Sequence, residues 1–361
     1  MLNYINIACN IQKNVNKLIK GDLIMKKIKN LCLLAALGVM VTGGSLLPST
    51  TAYAATSYTV TSSGTSLATA ISKAVSGDTI YISGTVTSGT IKVPAGVIIK
   101  GKTGKSTDKV VFSSTSGSSG KGFSLPNNGC TISNLDISGA ADNGIYMEGS
   151  SNTLTNLDVH GNKDAGVQLS NGAANNTLTS VYSYSNADAT GENADGFAIK
   201  LHSGTGNKLI SCTAEGNSDD GYDLYAAHGA VTFTGCKAIN NGNCGGIKGD
   251  GNGFKLGGVD NKTDGVAAHL DPLKHVLTNC TATGNTGAGF DRNNQNGVVT
   301  MTGCTAINNA KGNYKWPLKG TPSALGYEVT FGKAIINSCT SSGGGSNDLS
   351  GATVTNSPTV K

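Results

Sequence analysis

Apolar and polar residues alternate along most of the chain in short runs. Leu154-Thr155-Asn156-Leu157, Phe197-Ala198-Ile199-Lys200-Leu201 and Val231-Thr232-Phe233 switch with a period of two, carry β-branched residues and are bounded by Asn, Gly and Ser. Such alternation turns one side of an extended segment inward and the other outward, which predicts strands rather than helices. The runs also recur. A Gly followed by an apolar residue opens successive units at Asn143-Gly144-Ile145, Ala165-Gly166-Val167, Asp195-Gly196-Phe197, Asp220-Gly221-Tyr222, Asn252-Gly253-Phe254 and Ala288-Gly289-Phe290. These glycines step by 22, 30, 25, 32 and 36 residues, a base period with loop insertions that marks a solenoid. Three short strands in each period predict an all-β parallel β-helix, every coil pairing with the coils above and below. It is expected to occupy residues 126–361, with a cap and the first coils over 55–125.

One stretch departs from the alternation. Leu67, Ala70, Ile71, Ala74 and Val75 fall on one helical face after a cap at Thr65 or Ser66, and a short helix there would cover the open end of the solenoid. Asn162, Asn186, Asn217, Asn241, Asn285 and Asn308 recur at matching points, where stacked side chains can hydrogen-bond from coil to coil. Cys212, Cys236, Cys280, Cys304 and Cys339 share one register and read as an inward stack of small side chains. In an exported chain Cys236 and Cys244 are a candidate disulfide pair. The Gly-, Ser- and Thr-rich stretch from Ser338 to Lys361 is expected to fray.

Charge and composition narrow the classes. Gly numbers 51 of 361 residues, while charged residues make up 14% and aromatics 5%, so the core must rest on small and β-branched side chains. Residues 1–54 hold six lysines against one aspartate, and the remainder carries 21 bases and 21 acids. The formal charge of +5 thus belongs to the leader, and no basic stripe supports nucleic-acid binding. Within that leader, Met25-Lys26-Lys27-Ile28-Lys29 precedes the apolar run Leu31 to Val41 and the small-x-small sequence Ala52-Tyr53-Ala54. This pattern predicts a signal peptide, a mature chain beginning near Ala55, secretion to the extracellular space, and no membrane attachment after cleavage. The chain is expected to act as a monomer.

Several apparent motifs carry no chemistry. Gly96-Val97-Ile98-Ile99-Lys100-Gly101-Lys102-Thr103 fits the phosphate-loop pattern, but its middle is a strand and no helix follows. Asp250-Gly251-Asn252-Gly253 lacks the later oxygen ligands of a calcium-binding helical loop. The five histidines show no paired metal spacing, and the cysteines no CxxC.

The acids are gathered instead. Asp195 and Asp220 each stand one residue before a repeated Gly, which stacks them about 4.8 Å apart, the separation of adjacent strands. Asp219 adjoins Asp220, and Asp223 is two residues past its Gly. Lys255 is likewise two past Gly253, so it shares a column with Asp223, and Asp291 follows one coil on beside Arg292, the sole arginine. Four carboxylates this close repel one another unless a cation joins them. An oxygen-only set points to Ca²⁺ rather than zinc. A solvated acidic turn would share these features, and so would a surface β-helix binding Ca²⁺ for stability or adhesion.

Asn193-Ala194-Asp195-Gly196-Phe197, Ser218-Asp219-Asp220-Gly221-Tyr222-Asp223-Leu224-Tyr225 and Gly249-Asp250-Gly251-Asn252-Gly253-Phe254-Lys255-Leu256-Gly257-Gly258 resemble the motifs of family 9 pectate lyases. The likeness runs from about Gly144 to Tyr314. It implies a right-handed parallel β-helix in which Asp195, Asp219, Asp220 and Asp223 hold Ca²⁺ and Lys255 is the general base. The implied reaction is β-elimination on polygalacturonate, leaving a 4,5-unsaturated end. Because a free lysine titrates near 10.4, the resemblance also implies an amine brought down by the ion, and an alkaline optimum. Lys200, Lys248 and Arg292 are candidates for pairing with further substrate carboxylates. The Gly242–Gly249 loop and the insertion from Val259 to Lys274 match the family least. Ala227-His228-Gly229 is similar to the histidine motif of polygalacturonate hydrolases, but their Arg-x-Lys partner is missing. A rhamnogalacturonan lyase on the same fold is a further alternative.

Overall fold

In the computed structural model, which describes residues 54–114 and 120–361, each coil turns one corner on a residue in the left-handed backbone region. Asn134, Asn156, Ser180, Ser211, Gly235, Asn279, Gly303 and Ser338 form this column, with φ between 52° and 66°. Only Gly and small polar residues occupy it, since a bulkier Cβ would crowd the carbonyl there. The strand before the corner and the strand after it belong to one sheet of 19 strands. The third side of each coil belongs to a nine-stranded sheet running from Ile91–Lys92 through Phe197–Ile199, Tyr222–Asp223 and Phe254–Lys255 to Tyr314–Lys315. Pairing is parallel throughout both sheets, and among the described residues the one antiparallel pair of strands is Lys319–Gly320 with Val329–Thr330. This is the parallel β-helix that the alternation predicts. The phosphate-loop look-alike contains the strand Ile98–Gly101.

The interior is arranged in columns. Phe197, Tyr222, Phe254, Phe290 and Tyr314 stack face to face with centroids 5.0, 4.4, 5.0 and 5.3 Å apart. The five cysteines in register are buried and free, and the Sγ atoms of Cys212, Cys236, Cys304 and Cys339 lie 3.3–3.7 Å from carbonyls one coil below. Cys244 is also free, on a loop whose backbone pairs with Ile247, so the Cys236–Cys244 disulfide does not form.

At the turn into the nine-stranded sheet, a side-chain amide ladder climbs from Asn162 through Asn186, Asn217, Asn241 and Asn285 to Asn309, with Nδ2–Oδ1 distances of 2.8–3.0 Å. Asn308, expected in this ladder, is displaced from it. It takes the left-handed position just before the rung, as Gly161, Ser185, Gly216, Asn240 and Gly284 do in theirs. The helix spans Leu67–Lys73, with Ser66 as its N-cap accepting from Thr69 N–H at 3.1 Å. It packs by the strands Ser57–Val60, Thr85–Ser88 and Ile91–Lys92, burying Leu67 and Ala70. Val75 lies beyond the helix end and is 60% exposed, contrary to its expected place on the apolar face. The C-terminal stretch does not fray, because Ala352–Thr355 pairs with Ala334–Asn337 and closes another coil. No helix among the described residues is long and apolar enough to cross a membrane. The expected signal peptide and its cleavage site lie outside the described residues, except for Ala54.

Candidate functional site

The nine-stranded face builds the site because the residue after each stacked aromatic points outward. Asp223 pairs in register with Lys255, Lys255 with Asp291, and Asp291 with Lys315. The glycine before each aromatic permits this close stacking. A Cβ on Gly221 would stand 2.6 Å from the Gly253 carbonyl oxygen, and one on Gly253 would meet the Gly289 oxygen at 2.6 Å. Asp195 and Asp220, each one residue earlier, are therefore held in step, and the Asp220 N–H donates to Asp195 Oδ1 at 3.2 Å. Asn252 donates to Asp220 Oδ1 from its backbone at 2.6 Å and its side chain at 3.0 Å, while Asp250 N–H donates to Asp219 Oδ1 at 2.9 Å.

Oxygens of Asp195, Asp219 and Asp220 lie within 4.8 Å of one another, and all three residues are buried. Asp223 stands beside this trio, with Oδ1 accepting from Tyr225 N–H at 2.9 Å and Oδ2 taken by Lys200 at 3.2 Å. Lys255 reaches the group from the next coil. Its Nζ lies 3.1 Å from Asp220 Oδ2, 4.0 Å from Asp223 Oδ1 and 3.2 Å from Asp250 Oδ2, and its side chain is 14% exposed. Asp250 is an addition that column register alone did not reveal, since it arrives on the loop preceding the strand.

Burial dominates the electrostatics. It pushes the Asp219 carboxyl up to about 6 and that of Asp220 up to about 8, and raises Asp195 against the attraction of Lys200. Asp223 is the exception. Burial opposes its ionisation too, but Lys255 and Lys200 together hold it below the usual carboxylate range. For Lys255, burial favours the neutral amine, yet the surrounding aspartates outweigh it and drive the pKa upward. The downward shift that the resemblance implies is thus absent from the protein's own groups.

Two of the expected substrate contacts are corrected. Lys200 is buried and committed to Asp195 at 2.7 Å and Asp223 at 3.2 Å, so it neutralises the nest from within. Arg292 is fully buried, donating to the carbonyls of Gln295, Gly332 and Gly351 and packed over Trp316 and Phe331. Lys248 is exposed on the Gly242–Gly249 loop. In place of the first two, the structure offers Lys311 and Lys315. With Asp250, Asn252, Asp291 and Asp348 they line a cleft of about 330 Å³ beside Lys255. Lys315 occupies the column of Lys255 two coils on, but Asn313 stands where a Gly would have flagged the repeat.

The sequence model of the Pel9A-like right-handed β-helix region matches residues 48–324. Pectate lyase L of Thermoclostridium stercorarium is 41% identical over 146 residues, which cover 38% of this chain and 11% of that protein. Pectate lyase L of Paenibacillus polymyxa (strain SC2) is 39% identical over 151 residues, covering 39% of this chain and 31% of the relative. The alignments thus span about a third or less of these curated relatives. The crystal structure of pectate lyase Pel9A superposes with a TM-score of 0.67 at 26% identity, covering 82% of this chain and 78% of that one. With more than half of its length matched and the parallel coils in place, the chain belongs to the Pel9A-like right-handed β-helix family.

Proposed function

We propose that the chain is an exported, Ca²⁺-dependent pectate lyase that cleaves polygalacturonate by β-elimination and acts as a monomer. The observation that carries this reading is the placement of Lys255 Nζ, 3.1 Å from Asp220 Oδ2, at the partly open edge of a buried carboxylate nest. The nest suits a hard cation. Its ligand atoms are all oxygens, and Asp220 Oδ2 is buried without a hydrogen bond despite its nearness to the lysine. Asp195, Asp219 and Asp220 would hold Ca²⁺, with Asp223 beside them. When bound, the ion supplies a counter-charge to the aspartates and polarises the C6 carboxylate of the sugar.

The remaining work falls to this chain's side chains. Lys255 Nζ, in its neutral form, takes the proton from C5. The electron pair of the broken C5–H bond forms the C4=C5 double bond, and the C4 oxygen departs with the leaving chain. Lys200 keeps Asp195 and Asp223 compact, and Lys315 is the cation best placed for a neighbouring substrate carboxylate. Since the aspartates favour the protonated amine, turnover should climb with pH through the alkaline range. The basic stretch Met25–Lys29 followed by the apolar run Leu31–Val41 supports export.

The test is incubation with polygalacturonate, with and without chelator, following ultraviolet absorbance of the unsaturated product. Absorbance that disappears with chelator is expected. Reducing ends without absorbance would mean hydrolysis, and neither signal would mean a binding protein. Lys255→Ala should lower turnover by about 10²–10⁴-fold, the usual contribution of a general base, with Ca²⁺ binding retained. Undiminished turnover would remove Lys255 from the mechanism.

A further inference from the structure

Three of the chain's five histidines converge at a place the carboxylate nest does not use. His202 lies just after the strand Phe197–Ile199, and His228 on the equivalent turn one coil later, their rings 4.6 Å apart. His269 comes from the insertion between Lys255 and Val276, which also carries Asp260 and Asp271. Asp260 and His269 exchange two backbone hydrogen bonds of 2.9 and 3.0 Å, so the insertion folds back on itself and presents these side chains to His228. Sequence spacing gave no hint of this, because the three histidines sit on separate coils with insertions between them.

Asp260 is anchored by hydrogen bonds from Thr263 Oγ1 to Oδ2 at 2.5 Å and from Lys262 N–H to Oδ1 at 2.8 Å, but the second carboxylate of the cluster is not. His228 Nε2 lies 3.0 Å from Asp260 Oδ2 and 3.7 Å from Asp271 Oδ2, and His269 Nε2 lies 3.9 and 3.8 Å from the same two oxygens. The His269 Nδ1 is 3.1 Å from the Ala267 carbonyl oxygen, which makes Nδ1 the protonated nitrogen and leaves the Nε2 lone pair of the neutral ring facing the carboxylates. Asp271 Oδ2 is buried and has no hydrogen-bond partner, and Asp260 is almost wholly buried. Donor atoms of His228, His269 and Asp271 lie within 4.8 Å of one another, and Asp260 Oδ2 approaches the Nε2 of both imidazoles. Ligands about 2.1 Å from a tetrahedral ion stand about 3.4 Å from each other, and the four nitrogen-to-oxygen separations, 3.0–3.9 Å, bracket that value. His202 completes the surroundings, with Nε2 3.4 Å from Asp260 Oδ1 and 3.1 Å from Thr263 Oγ1, where it orients the carboxylate.

We propose that His228, His269, Asp260 and Asp271 form a second metal site, for a divalent ion of the zinc class, which clamps the insertion to the coils. Mixed imidazole and carboxylate donors select such an ion, whereas the oxygen-only nest selects a harder one. The insertion has little else to hold it. From Asn261 to Pro272 no residue is buried, and Val266 is 52% exposed. The clamp also reaches the carboxylate nest, because Asn261 Oδ1 accepts from Tyr225 Oη at 2.6 Å, and Tyr225 N–H is bonded to Asp223.

The full chain, stripped of metal, is titrated with Zn²⁺ and separately with Ca²⁺ by calorimetry, alongside His269→Gln, Asp271→Asn and Asp220→Asn. Wild type is expected to bind one Zn²⁺ that His269→Gln and Asp271→Asn weaken by about 10–100-fold, with Ca²⁺ binding unchanged. Asp220→Asn should do the reverse. Tryptic cleavage after Lys262, exposed in the insertion, should slow with Zn²⁺ in wild type only, and this readout guards against a variant that merely misfolds. Zn²⁺ binding undisturbed by the insertion variants, or abolished by Asp220→Asn, would overturn the proposal.

Discussion

Asn217→Ala tests whether the amide ladder holds the acidic turn in place. Asn217 is fully buried and precedes Asp219 and Asp220 by two and three residues. Its Oδ1 accepts from Asn186 N–H at 3.2 Å and Asn186 Nδ2 at 2.9 Å, while its Nδ2 donates to Asn241 Oδ1 at 2.9 Å and the Ser183 carbonyl at 3.3 Å. Truncation strands the Asn186 backbone N–H outright and halves the partners of its amide. Asn241 Oδ1 keeps the Asn217 backbone N–H at 3.2 Å, so the upper rung is only partly released. A buried polar group without a partner costs about 1–3 kcal/mol, which puts the total near 3–5 kcal/mol once the partial rescue is counted. Equilibrium urea unfolding at neutral pH measures it as a lower midpoint. Ca²⁺ affinity should fall as well, since the aspartates leave the chain just beyond the missing rung. A loss below about 1 kcal/mol would refute the claim that the ladder bears on stability, and intact Ca²⁺ affinity would refute its hold on the aspartates.

Two further outcomes are expected. His275 is fully buried, its Nδ1 accepting from Val231 N–H at 3.0 Å, and burial pushes its pKa down to about 3. Its stabilising contribution is complete above the unfolded value near 6.5 and is lost as pH falls from there toward 3, because the unfolded chain binds the proton first. The stability gap between wild type and His275→Asn should therefore narrow by about 1.4 kcal/mol per pH unit over that window, and a constant gap in urea titrations would count against it. Lys315→Ala should raise KM for polygalacturonate and leave kcat near wild type, as Lys315 lines the cleft without touching the nest. A fall in kcat alone would place Lys315 in the chemistry instead.

The parts of this architecture that repeat in sequence are the parts that could be read there. A Gly-aromatic step marks the rungs at Phe197, Tyr222, Phe254 and Phe290, so Asp223 and Lys255 could be placed side by side by counting from it, and the pairing agrees. Counting fails where the marker is replaced or where the partner is off the sheet. Asn313 replaces the Gly before Tyr314 and hides Lys315. Asn308 and Asn309 are adjacent asparagines serving different purposes, one for backbone and one for side chain, and composition does not distinguish them. Lys200 and Arg292 show that a cation near the right column says nothing about which way it points. One is satisfied by carboxylates inside the nest, the other by three backbone carbonyls. The histidine cluster was invisible because insertions of unequal length separate its members, and only folding restores their common position.

The column of left-handed corners has a bearing on how this scaffold accommodates change. Each coil closes against its neighbours at those corners and at the amide rungs, whatever path the chain takes elsewhere. The excursion between Lys255 and Val276 can therefore lengthen or shorten at an entropic cost that grows only with the logarithm of its length. Rung spacing would be untouched. Walls around the cleft are thus free to diverge in depth and chemistry, while the amine and the carboxylates keep their separation to within the tolerance of a backbone hydrogen bond.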